Sequence, residues 1–177
     1  MRQPLDRARL EAVLEAFGRA SGGSATLYLV GGATAIAYGW RATTIDLDVL
    51  LDPERDDVIR AVAALKDRLQ VNIEFASPLD FLPPLPGWQD RSPFVAQIGP
   101  LTVRHFDPYA QALAKLERGF DQDVRDVAAM ISTGLVEPQE LRRLFEAIAP
   151  ELFRFPAVDP VSLRHEVERV VAGHRPK

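Results

Sequence analysis

Residues 27–51 read LYLVGGATAIAYGWRATTIDLDVLL, and this stretch decides the fold. Leu27 to Val30 is a short apolar run with β-branched and aromatic character, which suits a buried strand. Gly31 and Gly32 follow at once. Two glycines let the backbone turn sharply and come close to another group. Ala33 to Tyr38 is alanine-rich and compatible with a short helix, ended by Gly39. Trp40 to Thr44 is a polar connection, and Ile45 to Leu51 reads as a second strand.

Side chains alternate faces along a strand, so Asp46 and Asp48 point the same way, about 7 Å apart. Ile45, Leu47, Val49 and Leu51 are then expected to face a core. Two carboxylates on one side of an apolar strand repel each other and resist burial. A divalent cation between them relieves both costs. Mg²⁺ takes oxygen ligands, commonly one or two carboxylates plus substrate phosphates. The Gly31-Gly32 turn opening a helix supplies free backbone N–H groups that bind phosphate. A phosphate cradle and a paired-carboxylate metal site, about a dozen residues apart, point to nucleotide chemistry with an NTP as substrate. Arg41, on the connecting loop, either contacts the triphosphate or neutralises the aspartates and holds the loop.

Outward from this stretch, helical spacing of Leu10, Val13, Leu14 and Phe17 predicts a packing helix over residues 5–20. Residues 54–68 predict a second amphipathic helix with Val58, Ile59, Val62 and Leu65 on its buried stripe. Leu69 to Phe75 alternates as a third strand, with Val71, Ile73 and Phe75 on one face and Asn72 and Glu74 on the other. Residues 78–86 are proline-rich and read as a loop without regular structure. Phe94 to Ile98 and Leu101 to His105 flank Gly99-Pro100 as a hairpin, the last strands. Four helices then follow, over 109–119, 121–132, 137–148 and 162–172. Asp107 caps the first before Pro108, Asp121 caps the next, and Asp159 or Ser162 the last. The expected fold class is α/β (α+β), a mixed sheet flanked by helices. Its domains are an α/β core over 1–105 and a C-terminal helical part over 106–177 packed on it.

Composition narrows the class. The 177 residues are 47% hydrophobic and 26% charged, ordinary for a globular chain. No apolar run approaches the roughly 18–20 residues of a membrane span. There is no cysteine, hence no disulfide and no thiolate zinc site. His105, His165 and His174 are scattered. These features, with no signal-peptide pattern at the N-terminus, lead to the expectation of a cytoplasmic protein without a membrane partner. A net charge of −4 argues against a broad electrostatic grip on nucleic acid, so any such contact comes from one face.

The ordered pattern of Gly31-Gly32, a spacer with Arg41 and Thr44, then Asp46-x-Asp48 resembles the signature of the DNA polymerase β-like nucleotidyltransferases. More narrowly, VGGATAIAYGWRATTIDLDVLL is similar to the small bacterial enzymes of the AbiEii/MenT toxin type and to the domains called DUF6036. The resemblance implies a nucleotidyltransferase-type sheet in which Asp46 and Asp48 hold Mg²⁺ on the triphosphate. It implies a third carboxylate on a neighbouring strand, for which Glu74 is the best placed and Asp80 a rival. Many such proteins carry Gly-Ser where this chain has Gly32-Ala33. Thr34 then stands to replace the missing hydroxyl. Further along, FDPYAQALAKLERGFDQDVRDVAAMI is similar to a later pair of helices in which a Lys precedes an Asp. Lys115 matches the Lys, and Asp123 and Asp126 compete for the Asp. Read alone, these are surface charges that pair across two helices, worth little to stability. Beside the upstream motif they are expected to join the site, with Lys115 near Asp46 and Asp48.

The resemblance further implies transfer of NMP to a hydroxyl of an RNA such as tRNA, or of a protein, and a toxin neutralised by an antitoxin. The alternative is a catalytically degenerate member that binds or regulates. A haloacid dehalogenase-type phosphohydrolase fits less well, because its Asp-x-Asp strand comes first in the chain and needs no upstream Gly-Gly. An EF-hand is excluded by the missing loop glycine and twelfth-position Glu.

Overall fold

The computed structural model describes residues 3–174; the first two residues of the N-terminal pattern and the last three of the helical part lie outside them. The chain divides into two compact units, one of Met1–Ser77 with Ser92–Phe106, the other of Pro78–Arg91 with Asp107–Lys177. The proline-rich segment thus belongs with the helices, although the sequence pattern gave it to the core.

The first unit holds α1 (Arg7–Ala20), β1 (Ala25–Val30), α2 (Gly32–Tyr38), β2 (Asp46–Asp52), α3 (Asp56–Leu69), β3 (Asn72–Phe75), β4 (Phe94–Ile98) and β5 (Leu101–His105). The five strands form one sheet in the order β3-β2-β1-β5-β4. β2 runs antiparallel to β1, β5 parallel to β1, β3 parallel to β2, and β4 antiparallel to β5. The sheet is mixed because β1 reverses into β2 through α2, while β5 returns beside β1 from far along the chain. Leu10, Val13, Leu14 and Phe17 of α1 and Val58, Val62 and Leu65 of α3 pack with Leu27, Leu29, Leu47, Val49, Leu51, Ile73, Leu101 and Val103 in one core. The period-2 burial of β2 places Leu47, Val49 and Leu51 inward, as its alternation predicts.

Three apolar residues expected in that core are outside it. Ile45 is 63% exposed. It precedes the first ladder residue, in a loop tied at Thr44 to Leu5 by an isolated antiparallel bridge. Ile59, at the border of the α3 stripe, is 39% exposed, and Phe75, at the end of the edge strand β3, is 44% exposed. β3 is shorter than its alternating sequence suggests. The helical pattern of α3 runs through Leu69 and closes on Gln70 at φ 51°, whose N–H reaches the Lys66 carbonyl.

The second unit holds a 3₁₀ turn at Pro78–Asp80, where no regular structure was expected, and α4 (Pro108–Arg118), α5 (Asp121–Ser132), α6 (Pro138–Ile148) and α7 (Pro160–Gly173). A further 3₁₀ segment, Ala149–Arg154, links α6 to α7. Asp107, Glu137 and Asp159 cap their helices, each accepting from backbone N–H groups of the first turn, with proline just inside. Asp121 does not cap α5. Phe120 occupies that position, and Asp121 lies in the first turn, where its charge favours the positive end of the helix. α4 packs on α5, α6 and α7, and α6 packs on α7.

One contact in the first unit has a measurable consequence. Gly18 of α1 lies so close to β4 that a Cβ there would sit 2.5 Å from Ile98 Cγ2 and 2.7 Å from the Ile98 carbonyl oxygen. The carbonyl belongs to the sheet backbone and cannot swing aside. Gly18→Ala is therefore expected to lower the thermal midpoint, with overpacking of about 1–3 kcal/mol outweighing the roughly 1 kcal/mol that alanine gains in a helix. An unchanged or raised midpoint would show that α1 and β4 separate at little cost.

Candidate active site

The pairing of β1, β2, β3 and β5 lines up chemistry at one end of the sheet. Val30 lies opposite Asp48 on β2, and Asp48 lies opposite Glu74 on β3. On the other side Leu29 pairs with His105 of β5. Paired residues share a face, so Asp48 and Glu74 stand side by side, with Asp46 and Asn72 as the next pair. Asp46 and Asp48 are half-buried and Glu74 is exposed. Asn72 ties the group together: its amide donates to Asp46 Oδ1 and to Glu74 Oε1, both at 2.7 Å. The amide nitrogen shares its partial positive charge between two carboxylates that would otherwise repel. Asn72 went unrecognised in the sequence, although its place two residues before Glu74 already put it on this face.

The Gly31-Gly32 turn follows Val30 directly, and its two glycines answer different constraints. Gly31 has φ 59° and ψ −118°, a conformation that side chains other than glycine rarely adopt. A Cβ there would lie 3.5 Å from Asp48 Oδ2, which measures how closely the turn approaches the carboxylate. Gly32 is required by its neighbour, since its Cβ would sit 2.6 Å from the Thr44 Cβ and closer still to Thr44 Oγ1. The loop leaving α2 thus returns past the helix start before entering β2. The N–H groups of Trp40 and Arg41 both reach the Ala35 carbonyl, so Arg41 wraps the far end of α2.

Thr34 faces inward. It is 1% exposed, its hydroxyl donates to the Leu29 carbonyl at 3.3 Å, and it lies 3.0 Å from His105 Nδ1. A hydroxyl with two buried partners is occupied in holding α2 onto the strand ends, a role the sequence reading did not foresee for it. Burial pushes His105 down to about 4.

In the second unit, Lys115 is 5% exposed, and its Nζ donates to Asp126 Oδ2 at 2.6 Å and to Asp123 Oδ1 at 3.4 Å. Arg118 adds two bonds to Asp123, and Gln122 donates to Asp126 Oδ1 at 3.0 Å. Burial raises the Asp123 carboxyl, but Arg118 and Lys115 outweigh it and hold it below the usual range. The lysine and its acids pair across two helices as a buried cluster rather than as surface charges. Asp80 lies at the end of its 3₁₀ turn. Among the described residues no three His, Asp or Glu side chains are grouped tightly enough to enclose a metal without further ligands.

A mixed sheet carrying a glycine turn beside same-face carboxylates defines a nucleotidyltransferase-type fold. The family model described as "Nucleotidyltransferase of unknown function (DUF6036)" matches residues 9–153, and the chain belongs to that family. A solved structure titled as an antigenic nucleotidyltransferase-like protein from Paracoccidioides brasiliensis is similar, with a TM-score of 0.51 at 16% identity, covering 94% of this chain and 95% of the other. That likeness is one of fold. No curated protein matches the chain.

Two measurements follow from the buried groups. The unfolded chain takes up a proton on His105 near pH 6.5, while the folded protein resists it down to about 4. Between those values the unfolded state binds more protons, so the stability is full above the unfolded value and falls as pH drops through the window. His105→Gln is expected to lose less stability than the wild type between about pH 7.5 and 5, by about 2 kcal/mol. Denaturant midpoints at both pH values test it, and parallel slopes would refute it.

Lys115→Ala leaves two buried carboxylates short of their cation and should cost about 3–5 kcal/mol. Arg118→Ala, at a side chain 56% exposed, should cost under about 1 kcal/mol. Equal effects by calorimetry would mean that Lys115 is not the cation that compensates the buried pair.

Proposed function

We propose that this protein is a Mg²⁺-dependent nucleotidyltransferase that moves NMP from an NTP to a hydroxyl group. The observation that supports it most is the closeness of Gly31 to Asp48 Oδ2 with Asp46 and Glu74 on the same face. The donor set suits the ion, since Mg²⁺ commonly takes one or two carboxylates and completes its shell with substrate phosphates and water. Asp46 and Asp48 would hold it. When bound, it neutralises phosphate charge and stabilises the attacking and leaving oxygens.

The chain's own groups do the rest. Backbone N–H groups of the Gly31-Gly32 turn bind phosphate oxygens, and Arg41 adds a cation. Glu74 accepts the proton of the acceptor hydroxyl. The acceptor oxygen forms a bond to the α-phosphorus as the bond to the bridging oxygen breaks, and pyrophosphate leaves. The acceptor class, an RNA such as tRNA or a protein, and a role as the toxin of a toxin–antitoxin pair extend the proposal on resemblance alone.

A second reading, a nucleotide-binding member without transfer, is favoured by Asn72, whose amide occupies the position between Asp46 and Glu74. Pyrophosphate release separates the two once binding is known.

Calorimetry with each of the four NTPs, with and without Mg²⁺, is expected to show binding that needs the ion and weakens at least about tenfold in Asp46→Ala, a loss of about 1.4 kcal/mol. Equal affinity of wild type and variant ends the metal assignment.

A further inference from the structure

Asn72 lies within the acidic face, and its geometry separates carboxylates that the strand register would bring together. In the β2–β3 ladder Asp46 is opposite Asn72, and Asp48 is opposite Glu74. Neighbouring strands are about 4.7–4.9 Å apart, so register alone would let Glu74 reach across to Asp48. Its carboxylate turns along its own strand instead. Glu74 Oε1 accepts from the amide of Asn72, two residues back, at 2.7 Å. The same amide nitrogen donates to Asp46 Oδ1 at 2.7 Å. An amide NH₂ has two N–H bonds, and both are directed here at anions.

The two N–H bonds diverge, so Asp46 Oδ1 and Glu74 Oε1 are held on either side of the nitrogen. Mg²⁺ binds its oxygens at about 2.0–2.1 Å, too short to take both of these while the amide stays between them. Among the described residues the acids of this face accordingly form no three-ligand group. Each acid gives one oxygen to the amide and keeps the other, Asp46 Oδ2 and Glu74 Oε2. The side-chain type fits this arrangement. A Lys or Arg at position 72 would neutralise both acids and remove their attraction for a cation. An Asp would add a further anion. A neutral double donor orders two carboxylates and leaves the charge of the face unchanged.

We infer that Asn72 is a positioning residue that holds Glu74 out of the ion's coordination shell. Asp46 and Asp48 then bind the ion, and Glu74 is left to take the proton of the acceptor hydroxyl. This rests on the function proposed above and divides the roles of its three acids.

A double-mutant cycle on ion binding tests it. The probe is Mn²⁺, which carboxylate sites accept as they do Mg²⁺. It is titrated into the full chain without nucleotide and followed by the paramagnetic resonance of the free ion, so that only the protein's own ligands count. Glu74→Gln is expected to change the wild-type affinity by less than about twofold, the range of independent sites. Asn72→Ala releases Glu74 to join the ion and is expected to bind Mn²⁺ about tenfold more tightly, because affinity for hard cations rises with the charge of the ligand set. Glu74→Gln in the Asn72→Ala background should abolish that gain. Thermal midpoints of the variants monitor folding. An Asn72→Ala affinity equal to or weaker than that of the wild type overturns the positioning role. A gain that survives Glu74→Gln also overturns it, since the amide then only competes for Asp46. So does a loss in Glu74→Gln as large as in Asp46→Ala, because Glu74 is then a ligand with Asn72 in place. If Asp46→Ala binds Mn²⁺ as the wild type does, or if neither the wild type nor Asn72→Ala binds it, the proposed metal site fails and the positioning role with it.

Discussion

The candidate site depends on one backbone constraint, the antiparallel register that sets Val30 opposite Asp48. Because β1 ends at Val30, the turn that follows must leave the sheet beside that carboxylate. Gly31 meets the requirement with a positive φ, and Gly32 by having no Cβ where Thr44 passes. A one-residue slip of β2 would reverse every side chain of the strand. Leu47 and Val49 would leave the core while Asp46 and Asp48 entered it. The apolar side of β2 therefore protects the placement of its acidic side, and the core and the site are specified by the same alternation.

Charge is handled in two ways in the two units. Asp46, Asp48 and Glu74 keep contact with solvent, and Asp46 and Glu74 share one neutral amide, Asn72. Asp123 and Asp126 are almost wholly buried and are matched by Lys115, Arg118 and Gln122. Carboxylates that keep contact with solvent on one face retain an attraction for a cation. A buried cluster with matched charges gains little from another ion and loses much if one member is removed. This contrast supports the proposal of a metal at the first group, and it means that substitutions at Lys115 act on stability before they act on activity.

Much of the fold was legible because its elements carry unmixed periodicity. The strand expected over 45–51, the hairpin about Gly99-Pro100 and the helices led by Pro108 and Pro138 appear within a residue of where their patterns place them, while the last helix begins at Pro160, two residues before its expected start. The family was legible from the Gly-Gly and Asp-x-Asp order. What escaped has physical causes. Ile45, Ile59 and Phe75 are apolar but lie at the edges of their elements, where no neighbour covers them. Periodicity assigns a face, and burial of that face also needs a partner. Thr34 offered the hydroxyl that similar proteins carry on the Ser of Gly-Ser; its inward direction depends on His105, 71 residues away. The burial of Lys115 was hidden in the same way, since an amphipathic helix displays its charges identically whether another helix covers them or not.

His105 joins these observations. It ends β5, pairs with Leu29, meets the Thr34 hydroxyl and supports the Tyr38 ring. Phenylalanine there would preserve the apolar support and lose the polar contact to Thr34. Glutamine would preserve polarity and lose the ring. A neutral imidazole meets both needs at this buried position, and burial holds it neutral. The parallel pairing of β5 with β1 brings this residue to α2 from the far end of the sheet-forming sequence. The last strand to be laid down thus fixes the helix that follows the first, and the position of the glycine turn depends on the sheet being complete.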